Sequence, residues 1–380
     1  MLKIANVCLS RSWGGLEMSA LRWAENLARR GHEVHTILPA GSRLSEEARA
    51  RGLSQNTVPL AASHFDPRAS AKIRTFLKRS AADVVQAHNS KDLWILYLAL
   101  LGASRPRLFY VSRILFKDTT KRGLLHRRIY GKLAGVIVLT EAGRQCFTAA
   151  TTVPPERVRV IPNGFDVKAY EVGADERSKV RAELGIADAE IAIGCTSRID
   201  RQKGQYELVE ALRLVLRRFS NLKVVLVGEP TLFEGEQYLD FLKRKIGEYG
   251  LETRVVFTGF RNDIPRVLSA IDIFAMPSYE ETFGNCLVEA MLAGLPSIAT
   301  DAGGAPEVLE AGRVGLLIEP KSVESLARAL HTLIDNVDLR RSLGAKARES
   351  ARRRFNLDRV IRMIEDFYAG QAAPDMPGDL

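Results

Sequence analysis

In the stretch PSYEETFGNCLVEAMLAGLPSIATDAGG, residues 277–304, Glu281 and Glu289 stand with seven residues between them. The apolar run IDIFAMPS before it reads as a buried strand, and Gly284 opens an amphipathic stretch closed by Gly294. The first glutamate therefore falls in a strand-to-helix loop and the second inside the helix. Eight helical steps would part the carboxylates by about 12 Å along the axis and about 80° around it, too far to share one proton or one metal ion. Two separated acceptors beside a helix N-terminus, whose N–H groups attract phosphate, fit a long ligand with hydroxyls at both ends and a phosphate between. A nucleotide sugar has that layout.

Two cations stand in a similar place. SRIDRQKGQYELVEALRLV puts Arg198 at the end of an apolar strand and Lys203 just before a helix beginning near Gln205. Exposed cations are common on any surface, but a guanidinium that grips phosphate through two N–H groups, an ammonium point charge and a helix N-terminus together suit a diphosphate. In the first half of the chain, ADVVQAHNS ends a buried strand in His88. A single histidine is more often a satisfied structural residue; at a strand end lining a ligand site, a neutral imidazole could hydrogen-bond a sugar hydroxyl or face positive charge growing at the reacting carbon. Gly14 and Gly15, in LSRSWGGLEMSALRWAENL, follow the first strand and precede a helix. Glycine pairs usually mark a turn, and G-x-G-x-x-G is absent, which excludes a dinucleotide fingerprint. An open backbone at a strand end can nonetheless turn its N–H groups toward a ligand.

These groups need elements to hold them. Short β-rich runs alternate with longer helical patterns along the whole chain: KIANVCLS, HEVHTILP, NTVPL, ADVVQAH, RLFYVSR, GVIVLT and RVRVIP in the first half, EIAIGCTS, LKVVLVGE, RVVFTGF, IDIFAMP, LPSIAT and GLLIEP in the second. Each set suffices for one doubly wound parallel sheet, so the fold class is α/β with two Rossmann-like domains. The expected boundaries are 1–165 and 185–350, joined by the polar segment NGFDVKAYEVGADERS. A helix at about 356–370 is expected to pack back onto the first domain, and 371–380 to form a tail. Ligands of such sheets bind outside the carboxyl ends of the strands, which predicts a ligand held in a cleft where the two domains face each other.

The 380 residues, 46% hydrophobic and 26% charged, describe an ordinary globular chain. The start MLKIANVCLS lacks the apolar core of a secretory signal, and LWILYLALLGA at 93–103 is too short to span a bilayer. A cytoplasmic location is expected. The four cysteines form no C-x-x-C pair and suggest neither a zinc site nor a disulfide framework. Charge divides unevenly: residues 1–165 hold 26 Lys and Arg against 11 Asp and Glu, or +15, whereas 166–380 hold 29 against 34, or −5. An imbalance confined to one half suggests an anionic partner there. In RILFKDTTKRGLLHRRIYGKL, Arg113, Lys121, Arg122, Arg127 and Arg128 are interleaved with apolar residues, a pattern of either a solvated helix face or a dock for the inner face of an anionic membrane. No nucleic-acid motif accompanies the basic half.

The ordered set of a GG loop, a strand ending in His88, VRVIPNGFD, SRIDRQKG and PSYEETFGNCLVEAMLAGLPSIATDAGGAPEVLE resembles the retaining glycosyltransferases of family 4, which share the GT-B fold, over nearly the whole chain. The resemblance implies that Glu281 contacts donor-sugar hydroxyls, Glu289 the ribose, and Arg198 with Lys203 the diphosphate. It places the N–H groups of Phe283, Gly284 and Asn285 near the sugar and distal phosphate, His88 near the donor sugar, and Gly14 with Gly15 in a loop closing over phosphate and acceptor. Arg113 sits where relatives vary and is assigned to the acceptor side. Catalysis by Glu281, Arg198, Lys203 and His88 is expected to need no metal or other cofactor, in keeping with the lack of any D-x-D. The expected partners are a nucleotide-sugar donor, with UDP favoured over GDP-mannose, a cell-envelope glycan or glycolipid acceptor such as lipopolysaccharide core, and an anionic membrane surface. Two alternatives share the layout: a GT-B-like nucleotide-sugar epimerase, which would act on donor alone, and a non-catalytic sugar-nucleotide-binding module.

Overall fold

Strands covered on both faces need apolar residues at consecutive positions, and the runs quoted above supply them. The computed structural model describes residues 1–62, 64–117, 120–231 and 234–370. The tail at 371–380, and Asp118 and Thr119 of the basic stretch, lie outside the described residues. The chain divides into two units, Met1–Asn163 with the segment from Val360, and Gly164–Arg359.

The first unit is a seven-stranded sheet of β1 (Lys3–Val7), β2 (Glu33–Pro39), β3 (Gln55–Val58), β4 (Val84–Ala87), β5 (Arg107–Ser112), β6 (Leu133–Val138) and β7 (Val158–Val160), in the order β3-β2-β1-β4-β5-β6-β7. All its pairings are parallel, from Lys3 opposite Glu33 to Val138 opposite Val160. Helix Gly15–Arg29 covers one face with Leu21, Trp23, Ala24 and Leu27. From Val360 onward, helix Leu357–Ala369 also belongs here: Phe367 meets Phe109 edge-on at 5.3 Å, and Glu365 accepts from Arg30 Nε at 2.8 Å.

The second unit is a six-stranded sheet of β8 (Ile191–Thr196), β9 (Leu222–Val227), β10 (Val255–Gly259), β11 (Ile273–Met276), β12 (Ser297–Thr300) and β13 (Leu316–Ile318), in the order β10-β9-β8-β11-β12-β13, again all parallel. The segment expected to be a linker is instead a folded part of this unit. Phe165 bridges to Asn356, and from helix Ala174–Glu183 both Arg177 and Arg181 reach the Asp272 carboxylate, at 2.7 and 3.1 Å. Polarity misleads here because the segment is anchored by ion pairs to a distant acid, a contact that local hydropathy does not register.

Strand order fixes where a ligand can sit. In the first unit the chain reverses direction between the neighbours β1 and β4, and in the second between β8 and β11. At such switch points the loops leaving adjacent strands part to opposite faces and open a crevice. Gly14 and His88 follow β1 and β4; Arg198, Lys203 and Glu281 follow β8 and β11.

Candidate functional site

In the second unit the loop after β11 is pinned by backbone contacts. Thr300 Oγ1 donates to the Ser278 carbonyl at 2.6 Å, and Gly304 N–H to the Glu281 carbonyl at 2.8 Å. Gly303 has φ +61, and a Cβ there would collide with the Glu281 carbonyl. Only glycine combines that left-handed backbone with so close an approach. The DAGG portion of the motif therefore holds Glu281 in place.

The Glu281 carboxylate receives two donors on Oε1, Lys203 Nζ at 2.6 Å and Ser278 Oγ at 3.1 Å. Lys203 comes from the turn after β8, which Gly204 ends with φ +69, packed so tightly on Pro277 that any side chain would strike its carbonyl. Both charged groups are largely buried, with side-chain exposures of 18% for Lys203 and 19% for Glu281, which strengthens their attraction over a surface pair. Arg198 is exposed, and among the described residues no acidic group pairs with it. Its loop is held by Gln205, wholly buried, whose Nε2 donates to the Arg198 carbonyl at 2.7 Å and to Ser197 Oγ at 2.9 Å.

Helix Asn285–Leu292 starts at Gly284, with φ +82 and no side-chain cap, directly after the buried Phe283. Helix Gln205–Val215 starts in the same way at Gly204. Such uncapped first turns present partial positive charge. Glu289, one turn into its helix, accepts from Tyr170 Oη at 3.2 Å. The structure thus brings Glu281 and Lys203, both singled out from the sequence, into direct contact, with Arg198, Gly284 and Asn285 on the adjoining loops. It missed Gln205, Tyr170 and Ser278, of which only Gln205, next to the KG turn, had a local signal.

In the first unit, His88 is only 1% exposed and both ring nitrogens are engaged. Arg113 Nη1 lies 2.8 Å from Nδ1. A guanidinium can only donate, so Nδ1 is the acceptor and Nε2 carries the proton, given to Asn6 Oδ1 at 2.6 Å. The Gln86 amide lies 2.8 Å from the same Nε2 and is tied to the Tyr368 hydroxyl from the C-terminal helix. Burial and the facing Arg113 hold the imidazole well below its usual range, so it is neutral. The expectation that His88 offers a nitrogen to a sugar meets a ring whose polar atoms are already taken.

Arg113, just past β5, lies with its guanidinium 4.9 Å over the Trp23 ring. It is only half-buried, and of Lys121, Arg122, Arg127 and Arg128 the three arginines are exposed. Leu124 and Leu125 of helix Leu124–Gly131 are 82% and 48% exposed, while Ile129 and Tyr130 face the core. Gly14 is extended and begins helix Gly15–Arg29 without a side-chain cap. The preceding backbone is held by Asp92, missed from sequence, whose Oδ2 accepts from Leu9 N–H at 3.1 Å. Burial pushes the Asp92 carboxyl up to about 7. Among the described residues, no cluster of three or more His, Cys, Asp or Glu could hold a metal ion, and no helix is long and apolar enough to cross a membrane.

Comparison with known proteins matches residues 13–169 to the family described as Glycosyltransferase Family 4 and residues 176–350 to Glycosyl transferases group 1. A D-inositol 3-phosphate glycosyltransferase of Corynebacterium kroppenstedtii is 30% identical over 77% of this chain, which spans 63% of that relative's length. A GDP-mannose-dependent alpha-(1-6)-phosphatidylinositol monomannoside mannosyltransferase of Mycobacterium tuberculosis is 28% identical over 76% of this chain and 78% of its own. Among solved structures, Anabaena Alr3699/HepE in complex with UDP and glucose superimposes with a TM-score of 0.85 at 28% identity, covering 97% of this chain and all of that one.

Proposed function

Because the chain belongs to the family 4 glycosyltransferases of the GT-B fold, we propose that it transfers a hexose from a UDP-sugar to a cell-envelope glycan or lipid-linked acceptor, with retention of configuration and without a metal ion. The observation that carries this reading is the Lys203–Glu281 pair set between two uncapped helix starts at the β8/β11 switch point. UDP is favoured by the Anabaena relative, solved with UDP and glucose. The Mycobacterium relative, named for GDP-mannose, keeps GDP-mannose as the second donor, and its lipid substrate supports a lipid-borne acceptor.

Departure of a nucleoside diphosphate leaves negative charge on phosphate and oxocarbenium character on the sugar. Arg198, Lys203 and the helix N-termini at Gly204 and Gly284 stabilise the former, and Glu281 holds sugar hydroxyls through the oxygen not saturated by Lys203 and Ser278. Glu289 takes the ribose. The N–H groups of Phe283, Gly284 and Asn285 face the sugar and distal phosphate. The leaving phosphate removes the acceptor proton on the same face of the sugar. His88 acts by orienting Arg113, and the Gly14–Gly15 loop closes on the acceptor. Exposed Leu124 and Leu125 among Lys121, Arg122, Arg127 and Arg128 form a dock for the inner face of an anionic membrane.

The test is a thermal-shift and turnover panel of UDP- and GDP-sugars with donor alone and excess EDTA. A donor at a hundred times its Kd stabilises by about 2.7 kcal/mol. Slow nucleotide release that persists in EDTA supports a metal-independent transferase. Conversion of the donor to an epimer supports the isomerase, stabilisation without any turnover supports the binding module, and loss of turnover restored by Mg²⁺ or Mn²⁺ rejects metal independence.

A further inference from the structure

Arg113 is bound on one edge only. Its Nη1 donates to His88 Nδ1 at 2.8 Å and its plane lies over Trp23, but Nε and Nη2 are buried without any hydrogen-bond partner. Nε and Nη2 form the side of the guanidinium fork that matches two oxygens of one carboxylate or phosphate. Among the described residues no carboxylate forms an ion pair with it: Asp92, pushed up to about 7, is engaged with Leu9, and Glu17 is a longer-range neighbour. Burial lowers the Arg113 pKa to about 10, which leaves it charged at neutral pH. A desolvated cation held by an aromatic face and a neutral imidazole, with its two-donor edge enclosed but unpaired, lacks a compensating anion within the described chain and suits one from outside it.

We propose that the Nε/Nη2 edge of Arg113 docks an oxyanion, phosphate or carboxylate, carried by the acceptor. The anion site stands on the geometry around Arg113; its assignment to the acceptor rests on the glycosyltransferase reading above. Donor phosphate already has Arg198, Lys203 and two helix starts in the second unit, whereas Arg113 follows β5, beside the β1/β4 switch point of the first. A neutral hydroxyl would satisfy one donor and leave the charge uncompensated. Two oxygens sharing a negative charge satisfy both.

The experiment is calorimetric titration of the full chain with inorganic phosphate and, separately, malonate, at constant ionic strength and saturating UDP so that the donor phosphate positions are filled. The expected result is one saturable anion site, weakened at least tenfold in Arg113→Lys, which keeps charge but loses the fork, and absent in Arg113→Gln, with UDP affinity unchanged in both. The tighter of the two anions identifies phosphate or carboxylate as the source. No saturable site in the wild-type protein, equal anion affinity in Arg113→Lys, or a parallel loss of UDP affinity would overturn the proposal; if Arg113→Gln does not fold, the lysine variant decides. Anion binding that depends on Arg113 in a protein that binds no UDP-sugar would sink the donor reading and leave the anion site standing.

Discussion

Lys203 Nζ lies 2.6 Å from Glu281 Oε1, an ion pair that joins the loops of two adjacent parallel strands across 78 residues of sequence. It sets the ammonium beside the carboxylate that the proposed function gives to the sugar, and under that proposal one cation would both position Glu281 and face the diphosphate. Lys203→Ala should lower kcat about a hundredfold, the effect of losing about 3 kcal/mol of transition-state stabilisation. Glu281→Ala should lower kcat comparably, and the double variant should lose less than the product of the two, because each single change already breaks the pair. Steady-state kinetics on the three variants measures this, and independent, multiplying effects would contradict a shared role. Arg198→Ala, at an exposed side chain, should reduce turnover strongly while shifting stability by less than about 0.5 kcal/mol.

Glu289 is held by the Tyr170 hydroxyl at 3.2 Å. Ribose is bound in both ground and transition states, so Glu289→Ala should raise the donor KM with kcat nearly unchanged. Tyr170→Phe removes one hydrogen bond to the carboxylate and should raise KM by about three- to tenfold. An unchanged donor KM in Glu289→Ala would refute the ribose assignment.

The exposed pair Leu124 and Leu125, among cations, predicts binding to anionic but not neutral liposomes. Each basic residue near such a surface contributes about 1 kcal/mol, and salt should weaken the attraction. Flotation of wild-type protein, compared with a variant carrying Lys121, Arg122, Arg127 and Arg128 all replaced by Gln, reads it. Equal flotation of both, or none at low salt, removes the dock.

Asp92 has its carboxyl raised to about 7 by burial, against the usual carboxylate range in the unfolded chain. The folded state therefore binds the proton more tightly, and the stability this gives is fully present below the unfolded pKa and lost as pH rises through about 7. Asp92→Asn, which keeps an oxygen for Leu9 N–H, should flatten the fall in stability between pH 4 and 8 by an amount on the order of a few kcal/mol. Urea denaturation across that range, variant against wild type, should show the two curves converging at acid pH; parallel curves would mean that Asp92 ionises without cost.

The sequence alone determined the two sheets, because most central strands, covered on both faces, are written as largely apolar runs, and all thirteen runs quoted, the polar edge strand Gln55–Val58 included, became strands. It also singled out Glu281 and Lys203 as candidates, since each follows such a run and precedes a glycine-led helix. Their direct pairing was a tertiary decision, because β8 and β11 are neighbours only once the sheet assembles. The ordered role of residues 165–183 depended on Asp272, about ninety residues away, which no local pattern reveals. His88 shows the same limit more sharply. Its type and strand-end position suggested an open imidazole, but Asn6 from β1 and Arg113 from beyond β5 join Gln86 of its own strand, itself tied to Tyr368 of the last helix, to enclose it. Spacing along one strand can say that a side chain reaches the end of the sheet, and only the neighbouring strands decide whether its polar atoms are still available there.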